Sequence, residues 1–371
     1  MLTKTDRAPK RILVVRPDRV GDVVLSTPVF HTLKVSFPGC YVGALVSPYT
    51  SPLLAGNPNI DLVITDDPGK EARRGDPFLK KVMEIRKHKF DTALLLMPTE
   101  RLAYMLFLAG IRRRFGVGHI LYEVITMTRG VSRRKYNPLR HESDYMLDLA
   151  RKIGAREIWT KPEIFLRDDE RTNARLSLRN YGFDLSRSIV CIHPGSGHSS
   201  PNWTIDRYAG LAGRLAKAGL QVLVTGSSHE KSLEGSFQGL RADGVKTIFG
   251  ELSLRELAAV ISEVTVFVSS STGPMHIAAA VGTPTVSMFC PLTACSPKLW
   301  GPVGSSSRVI LPPDDFCGTK CPGDPHVCTF GVGDEGIGEE SVFEAVTAFA
   351  SETEAQPSKG ISDDYSSSHI G

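Results

Sequence analysis

The 371-residue chain has no uninterrupted apolar run of about 18 residues, the length a membrane-crossing helix needs. The longest candidate, residues 102–110, is too short and is broken by Tyr104. The N-terminus has a basic start but no extended apolar region or small-residue cleavage site. After the run at 11–15, Arg16, Asp18 and Arg19 interrupt at once, which argues against a signal peptide and for a cytoplasmic protein. Net charge is also low: 44 Lys and Arg against 40 Asp and Glu leave +4, too little for a general nucleic-acid binder. The phosphate-loop pattern GxxxxGK[ST] does not occur, so a P-loop ATPase is excluded. No Asp-x-Asp follows a strand-like run. The adjacent acids Asp66–Asp67, Asp168–Asp169, Asp314–Asp315 and Asp363–Asp364 sit in loop-like contexts, so no divalent metal is expected in the chemistry. Cysteine is sparse and scattered. Cys40, Cys191 and Cys290 read as buried thiols, and Cys317, Cys321 and Cys328 lack a strong zinc spacing. Cys295 would join them only if folding brings it close.

What is present is an alternation of strand-like and helix-like segments, which predicts two doubly wound α/β units built on parallel sheets. Strands are expected at 11–15, 41–47, 61–65 and 91–97, with helices at 78–88, 100–110 and 141–155. Pro28 should bend or interrupt the helix that follows Gly21. A second series starts at 188 and runs through strands at 221–227, 245–250, 266–271 and 284–289, with helices between. The expected divisions are 1–170 and 171–340, a closing helix at 341–354, and a polar tail at 355–371 with too little apolar surface to order.

Ligands of such folds bind beyond the carboxyl ends of the strands. After the first strand, Gly21 permits a tight turn and Asp22 stands at a helix start. It reads either as a general base or as a capping acid. Arg16 and Arg19 read either as phosphate-neutralising groups or as surface charges. In the second half, Gly195, Ser196 and Gly197 let backbone N–H groups approach an anion, although this turn lacks the GxGxxG spacing of a dinucleotide fingerprint. Ser271, Thr272 and Gly273 precede a second helix start, and the helix carries His276. Two anion-friendly helix starts in one half point to a nucleoside diphosphate. Trp203 reads as a packing residue beside one of them.

Three blocks carry a resemblance: RILVVRPDRVGDVVLSTPVFHTLK; CIHPGSG with NWTIDRYAGLAGRL; and SSSTGPMHIAAAVGTPTVSMFCP with WGP. Together, over about residues 11–303, the chain resembles glycosyltransferase family 9, the ADP-heptose lipopolysaccharide heptosyltransferases. The resemblance implies a GT-B fold of two Rossmann-like domains facing across a cleft. The first would take a lipid-linked saccharide acceptor and the second an ADP-sugar, with inverting transfer that needs no metal or cofactor. Asp22 matches the family's catalytic base. Thr272, Gly273, Pro274, Met275 and His276 match the phosphate-contacting motif, and Gly195, Ser196 and Gly197 match the donor loop. Gly226 and Ser227, with Gly250 to Leu254 including Leu252, match loops near the nucleoside. Arg16, Arg19, Gly21 and the basic residues Arg133, Arg134, Lys135 and Arg140, with the run 112–114, are candidates to meet the acceptor or its phosphates. Two departures touch donor binding: Pro201 and Asn202 precede Trp203 where many members have Lys or Arg, and Ser271 stands where many have Asp. The acceptor implies work at the cytoplasmic face of the inner membrane, with neither nucleic acid nor a stable protein partner. An epimerase or hydrolase on the same fold, and a non-catalytic sugar-nucleotide binder, remain open on the sequence alone.

Overall fold

The computed structural model describes residues 8–67, 78–116, 121–131, 136–197, 199–304, 306–331 and 335–354. Expectations for residues 133–135 and for the tail at 355–371 therefore lie outside the described residues.

The first sheet holds β1 (Arg11–Val15), β2 (Tyr41–Val46), β3 (Leu62–Thr65), β4 (Thr92–Leu95), β5 (Arg113–Gly116) and β6 (Arg129–Gly130) in the order 3-2-1-4-5-6. The second holds β7 (Ile189–Ile192), β8 (Gln221–Gly226), β9 (Val245–Phe249), β10 (Val266–Ser270), β11 (Thr285–Met288) and β12 (Ser307–Ile310), ordered 12-11-10-7-8-9. Every pair is parallel. The second order is the first run again, so each sheet reverses direction beside its opening strand, between β1 and β4 and between β7 and β10. Those reversals open crevices at the carboxyl ends of the strands. Strands β1, β4, β7 and β10 are apolar almost throughout because helices cover both faces.

Helix α1 (Val20–Ser36) runs through Pro28 without interruption, contrary to the sequence expectation. Pro28 cannot bond the Val24 carbonyl, but the hydroxyl of Thr27 donates to that oxygen at 2.7 Å, so the helix keeps the acceptor satisfied. On the first sheet, α1 and α5 (Glu142–Lys152) pack over one face, while α2 (Phe78–Lys87), α3 (Glu100–Leu108) and α4 (Leu121–Ile125) cover the other. The second sheet carries α6 (Asp168–Asn180), α7 (Ile205–Lys217), α8 (Leu254–Ile261), α9 (Gly273–Val281), α10 (Pro297–Trp300), α11 (Asp314–Thr319) and α12 (Glu339–Glu354), with a 3₁₀ segment at Ser228–Asp243 in place of the expected α-helix.

Helix α6 goes beyond the sequence expectation: Asp168–Asp169 open it, and Asp314–Asp315 open α11, so both acidic pairs sit in the first turn of a helix, where negative charge is favoured, rather than in a loop. Strands β5, β6 and β12 also escape the sequence pattern. In β5 the polar start Arg113–Arg114 hides it. Arg114 is buried and donates from Nε to the Thr126 carbonyl at 2.9 Å, and Arg113 donates to the Thr92 hydroxyl at 2.9 Å. The expectation that the whole 112–114 run meets acceptor phosphates is thereby corrected, since only Arg112 is exposed. Arg140 is likewise engaged, paired with Asp144 and Asp148.

The two halves share a core. Val24 of α1 and Leu53 join the apolar cluster of α6, α8 and α9 on the second sheet. The connecting segment lies across this junction: Glu163 N–H donates to Thr27 Oγ1 at 2.9 Å, and the Trp159 ring stacks on His31 at 4.3 Å.

Candidate active site

Two helix N-termini meet where the halves touch. Neither α1 nor α9 has a side-chain cap on its first N–H groups. The Thr272 hydroxyl is instead turned onto Ser269 Oγ at 3.2 Å. Helix ends left in this state attract anions. Their approach is close: a methyl group on Gly21 would meet His276 Cδ2 at 2.8 Å, and one on Gly273 would meet the Val20 Cβ at 2.9 Å. Glycine at both positions is what lets the two helices come together.

A cavity of about 640 Å³ opens at this junction, lined by Asp18, Arg19, Gly21 and Asp22 from one half and by Gly197, Ser271, Thr272, Gly273 and His276 from the other. A second cavity of about 670 Å³ adjoins it along Val20 and Tyr49, lined by Gly226, Ser227, Glu230, Gly250, Leu252 and Pro274. Residues that the sequence suggested separately thus divide between two neighbouring chambers. Several lie apart from both, the basic residues Arg112, Arg113, Arg114 and Arg140 among them. Met275 is wholly buried in the core, Arg16 is buried beneath the first chamber, and Gly195 and Ser196 line neither.

The Arg16 guanidinium organises the first chamber. One Nη donates to Asp22, the other to the Leu96 carbonyl at 2.8 Å, and Nε lies 3.1 Å from Asp18 Oδ1. Arg16 is therefore committed to two carboxylates that project from the turn after β1. Asp18 is pushed up to about 7, because burial outweighs the attraction of Arg16 and Asp22 adds repulsion. His276 is depressed to about 3 by burial, with His141 adding to the effect, so its imidazole is neutral at physiological pH. Its Nδ1 is buried without a hydrogen-bond partner. Arg19 is the one cationic side chain among the described residues lining this chamber.

The loop after β7 is tied down by Asn202. Its Nδ2 donates to the Pro194 carbonyl at 2.8 Å, and its Oδ1 accepts from the Tyr208 hydroxyl at 2.9 Å and from Ser270 Oγ at 2.6 Å. At the position where the sequence resemblance leads one to expect a basic residue, the chain carries a structural amide joining the loop to the end of β10. Trp203 is a packing residue, buried edge-on to Tyr208 with Nε1 on the Ile337 carbonyl at 3.1 Å.

Sequence reasoning missed Glu230, Tyr49 and the role of Asp18 as a chamber wall. Glu230 Oε2 accepts from the Ser227 N–H at 2.7 Å and Oγ at 2.8 Å, and its carboxylate fills the space a Cβ on Gly195 would need. The spacing Ser227-x-x-Glu230 is a capping-box signal that was available in the sequence. His193, depressed by burial, reaches Thr225 Oγ1 at 3.1 Å and stands 3.8 Å from Glu230. Folding does bring Cys295, Cys317 and Cys328 near Cys290, whose thiol is pushed up to about 11, chiefly by burial. All seven cysteines are free, and among the described residues no group of three or more His, Cys, Asp or Glu side chains is placed to hold a metal.

Comparison with known proteins agrees with this architecture. The family model of glycosyltransferase family 9 (heptosyltransferase) matches residues 79–320. The chain is 29% identical over 289 residues to the lipopolysaccharide core heptosyltransferase OpsX of Haemophilus influenzae, covering 76% of this chain and 79% of that one. A family 9 glycosyltransferase from Veillonella parvula superposes with a TM-score of 0.78 at 21% identity, covering 92% of this chain and 97% of the other. The ADP-heptose lipopolysaccharide heptosyltransferase II of E. coli superposes with a TM-score of 0.72 at 21% identity, covering 93% and 99%. With two parallel six-stranded sheets facing each other across these chambers, the chain has the GT-B fold and belongs to glycosyltransferase family 9, the heptosyltransferase family.

Proposed function

We propose that this glycosyltransferase moves a heptose, or a closely related sugar, from an ADP-sugar to a hydroxyl of a lipopolysaccharide core acceptor, with inversion and without a metal. The observation that carries the reading is the meeting of α1 and α9 over one chamber, which puts a carboxylate and an anion-binding helix end from opposite halves around a single space. The names of the Haemophilus and E. coli relatives supply the substrate class.

In this reading Asp22 takes the proton of the acceptor hydroxyl. That oxygen attacks the anomeric carbon from the face opposite the nucleotide, the bond from that carbon to the diphosphate oxygen breaks, and ADP departs with the electron pair. Arg16 orients Asp22. The leaving diphosphate is stabilised by the uncapped N–H groups of α9 and by Arg19, a placement that suits charge developing on the leaving group. Neutral His276 contributes a hydrogen bond rather than a charge. The nucleoside occupies the second chamber, beside Gly226, Ser227, Gly250 and Leu252. The acceptor enters from the first half, at the cytoplasmic face of the inner membrane.

The test is a nucleotide-release assay with ADP-heptose and truncated lipopolysaccharide acceptors, with and without a chelator. Acceptor-dependent ADP release that the chelator leaves unchanged supports the proposal. Release without acceptor would favour hydrolysis, conversion of the ADP-sugar to another ADP-sugar without acceptor would favour epimerisation, and nucleotide binding with no turnover on any donor would favour a non-catalytic binder.

A further inference from the structure

Helices α2, α3 and α4 cover one face of the first sheet, and their inner sides supply its core through Val82, Ile85, Leu102, Met105 and Leu106. The outer side of a solvated helix is normally polar. Here Leu79 is 68% exposed, Met83 60%, Leu121 74%, Val124 69% and Met127 67%. The helices that carry them pack side by side, α2 on α3 and α3 on α4. Phe78 and Leu108 line a single hollow between α2 and α3. Arg114 then links the end of α3 to α4, because its guanidinium lies over the Phe107 ring at 5.1 Å while its Nε holds the Thr126 carbonyl. Exposed apolar side chains gathered this way mark a surface that meets something.

Charge indicates what it meets. Among the described residues between 78 and 130, the exposed cations are Lys80, Arg86, Lys87, Lys89, Arg112 and Arg129, against Glu100 as the exposed acid. A second copy of the chain would bring this same positive rim against itself, which opposes a symmetric dimer. An anionic bilayer satisfies both features: the apolar side chains enter the boundary between headgroups and acyl chains, and the cations meet lipid phosphates.

We propose that the α2–α3–α4 face docks the enzyme onto an anionic lipid bilayer, with Leu121, Val124, Ile125 and Met127 as the inserted edge. This rests on the reading of a lipid-linked acceptor and names the surface that brings the first half to it. Residues 121, 124 and 125 follow helical spacing, so α4 presents them together.

The experiment is flotation of the full chain with vesicles of phosphatidylglycerol and phosphatidylethanolamine, and with phosphatidylcholine alone. The wild type should float with the anionic vesicles, and binding should weaken as salt rises. Leu121→Glu/Val124→Glu should lower the bound fraction at least about tenfold, and Arg112→Glu/Arg129→Glu should weaken it and flatten the salt dependence. Both pairs are exposed, so circular dichroism should match the wild type. Equal binding by the variants, binding that ignores salt, or no binding by the wild type overturns the proposal. So does a dimer in sedimentation that Leu121→Glu/Val124→Glu dissociates. Nucleotide release with a deacylated, water-soluble acceptor separates this proposal from the one above. Transfer without vesicle binding sinks the docking face alone. Vesicle binding lost in the variants, with no transfer on any donor, sinks the transferase reading alone.

Discussion

The imidazole of His276 lies against Gly21, so close that a single added methyl would stand 2.8 Å from its Cδ2. Gly21 stands in the first turn of α1 in one half, and His276 in the first turn of α9 in the other. Their contact is the point at which two separately built sheets become one site.

Gly21→Ala should therefore damage activity without unfolding the protein. His276 is 5% exposed, so either its ring shifts toward the chamber it lines or α1 and α9 separate. Misplacing reacting groups by about 1 Å can cost 10²-fold, and a loss of about 10- to 100-fold in turnover is expected, with little change in melting temperature. A variant with full activity would show that the approach of the helices is not needed for transfer.

Asp22→Asn preserves shape and removes the base. Arg16 keeps Asp18 and the Leu96 carbonyl as partners, so the turn should stay folded. Turnover in the ADP-release assay should fall at least about 10²-fold while nucleotide affinity is kept. Equal turnover would remove Asp22 from the chemistry.

Asp18 makes a stability prediction with a definite sign. Its folded-state value, raised to about 7, lies above the ordinary 3.8, so the native state holds a proton that the unfolded chain has lost between about pH 4 and 7. Its contribution to stability is thus complete near pH 4 and is lost as pH rises toward 7. Urea unfolding of wild type and Asp18→Asn at pH 5 and pH 8 should show the wild type losing a few kcal/mol more than the variant between the two. Parallel losses would mean that Asp18 is ionised throughout.

Asn202→Ala should act on the loop after β7, which the proposed reading places against the donor. It leaves the Pro194 carbonyl without its donor and takes one acceptor from the buried Tyr208 hydroxyl. Such losses typically cost about 1–3 kcal/mol of stability. The loosened loop should raise KM for the donor more than it lowers kcat. An unchanged KM would show that the loop is held by other contacts.

The alternation of apolar strands and amphipathic helices, the glycine turns after β1 and β7, and the position of Asp22 at a helix start are all legible in the amino-acid order. Each of these depends on residues a few positions apart, where backbone hydrogen bonding and the choice of buried face are written into local pattern. The pairing of Arg16 with both Asp18 and Asp22, the withdrawal of Arg114 from the surface, and the carboxylate of Glu230 over Gly195 appear only once the chain is folded. So does the contact of Gly21 with His276, 255 positions later in the chain. An arginine in a turn reads the same whether it faces solvent or two carboxylates. Only closure of the chain sets its neighbours, and with them the burial and charge that fix what it can do.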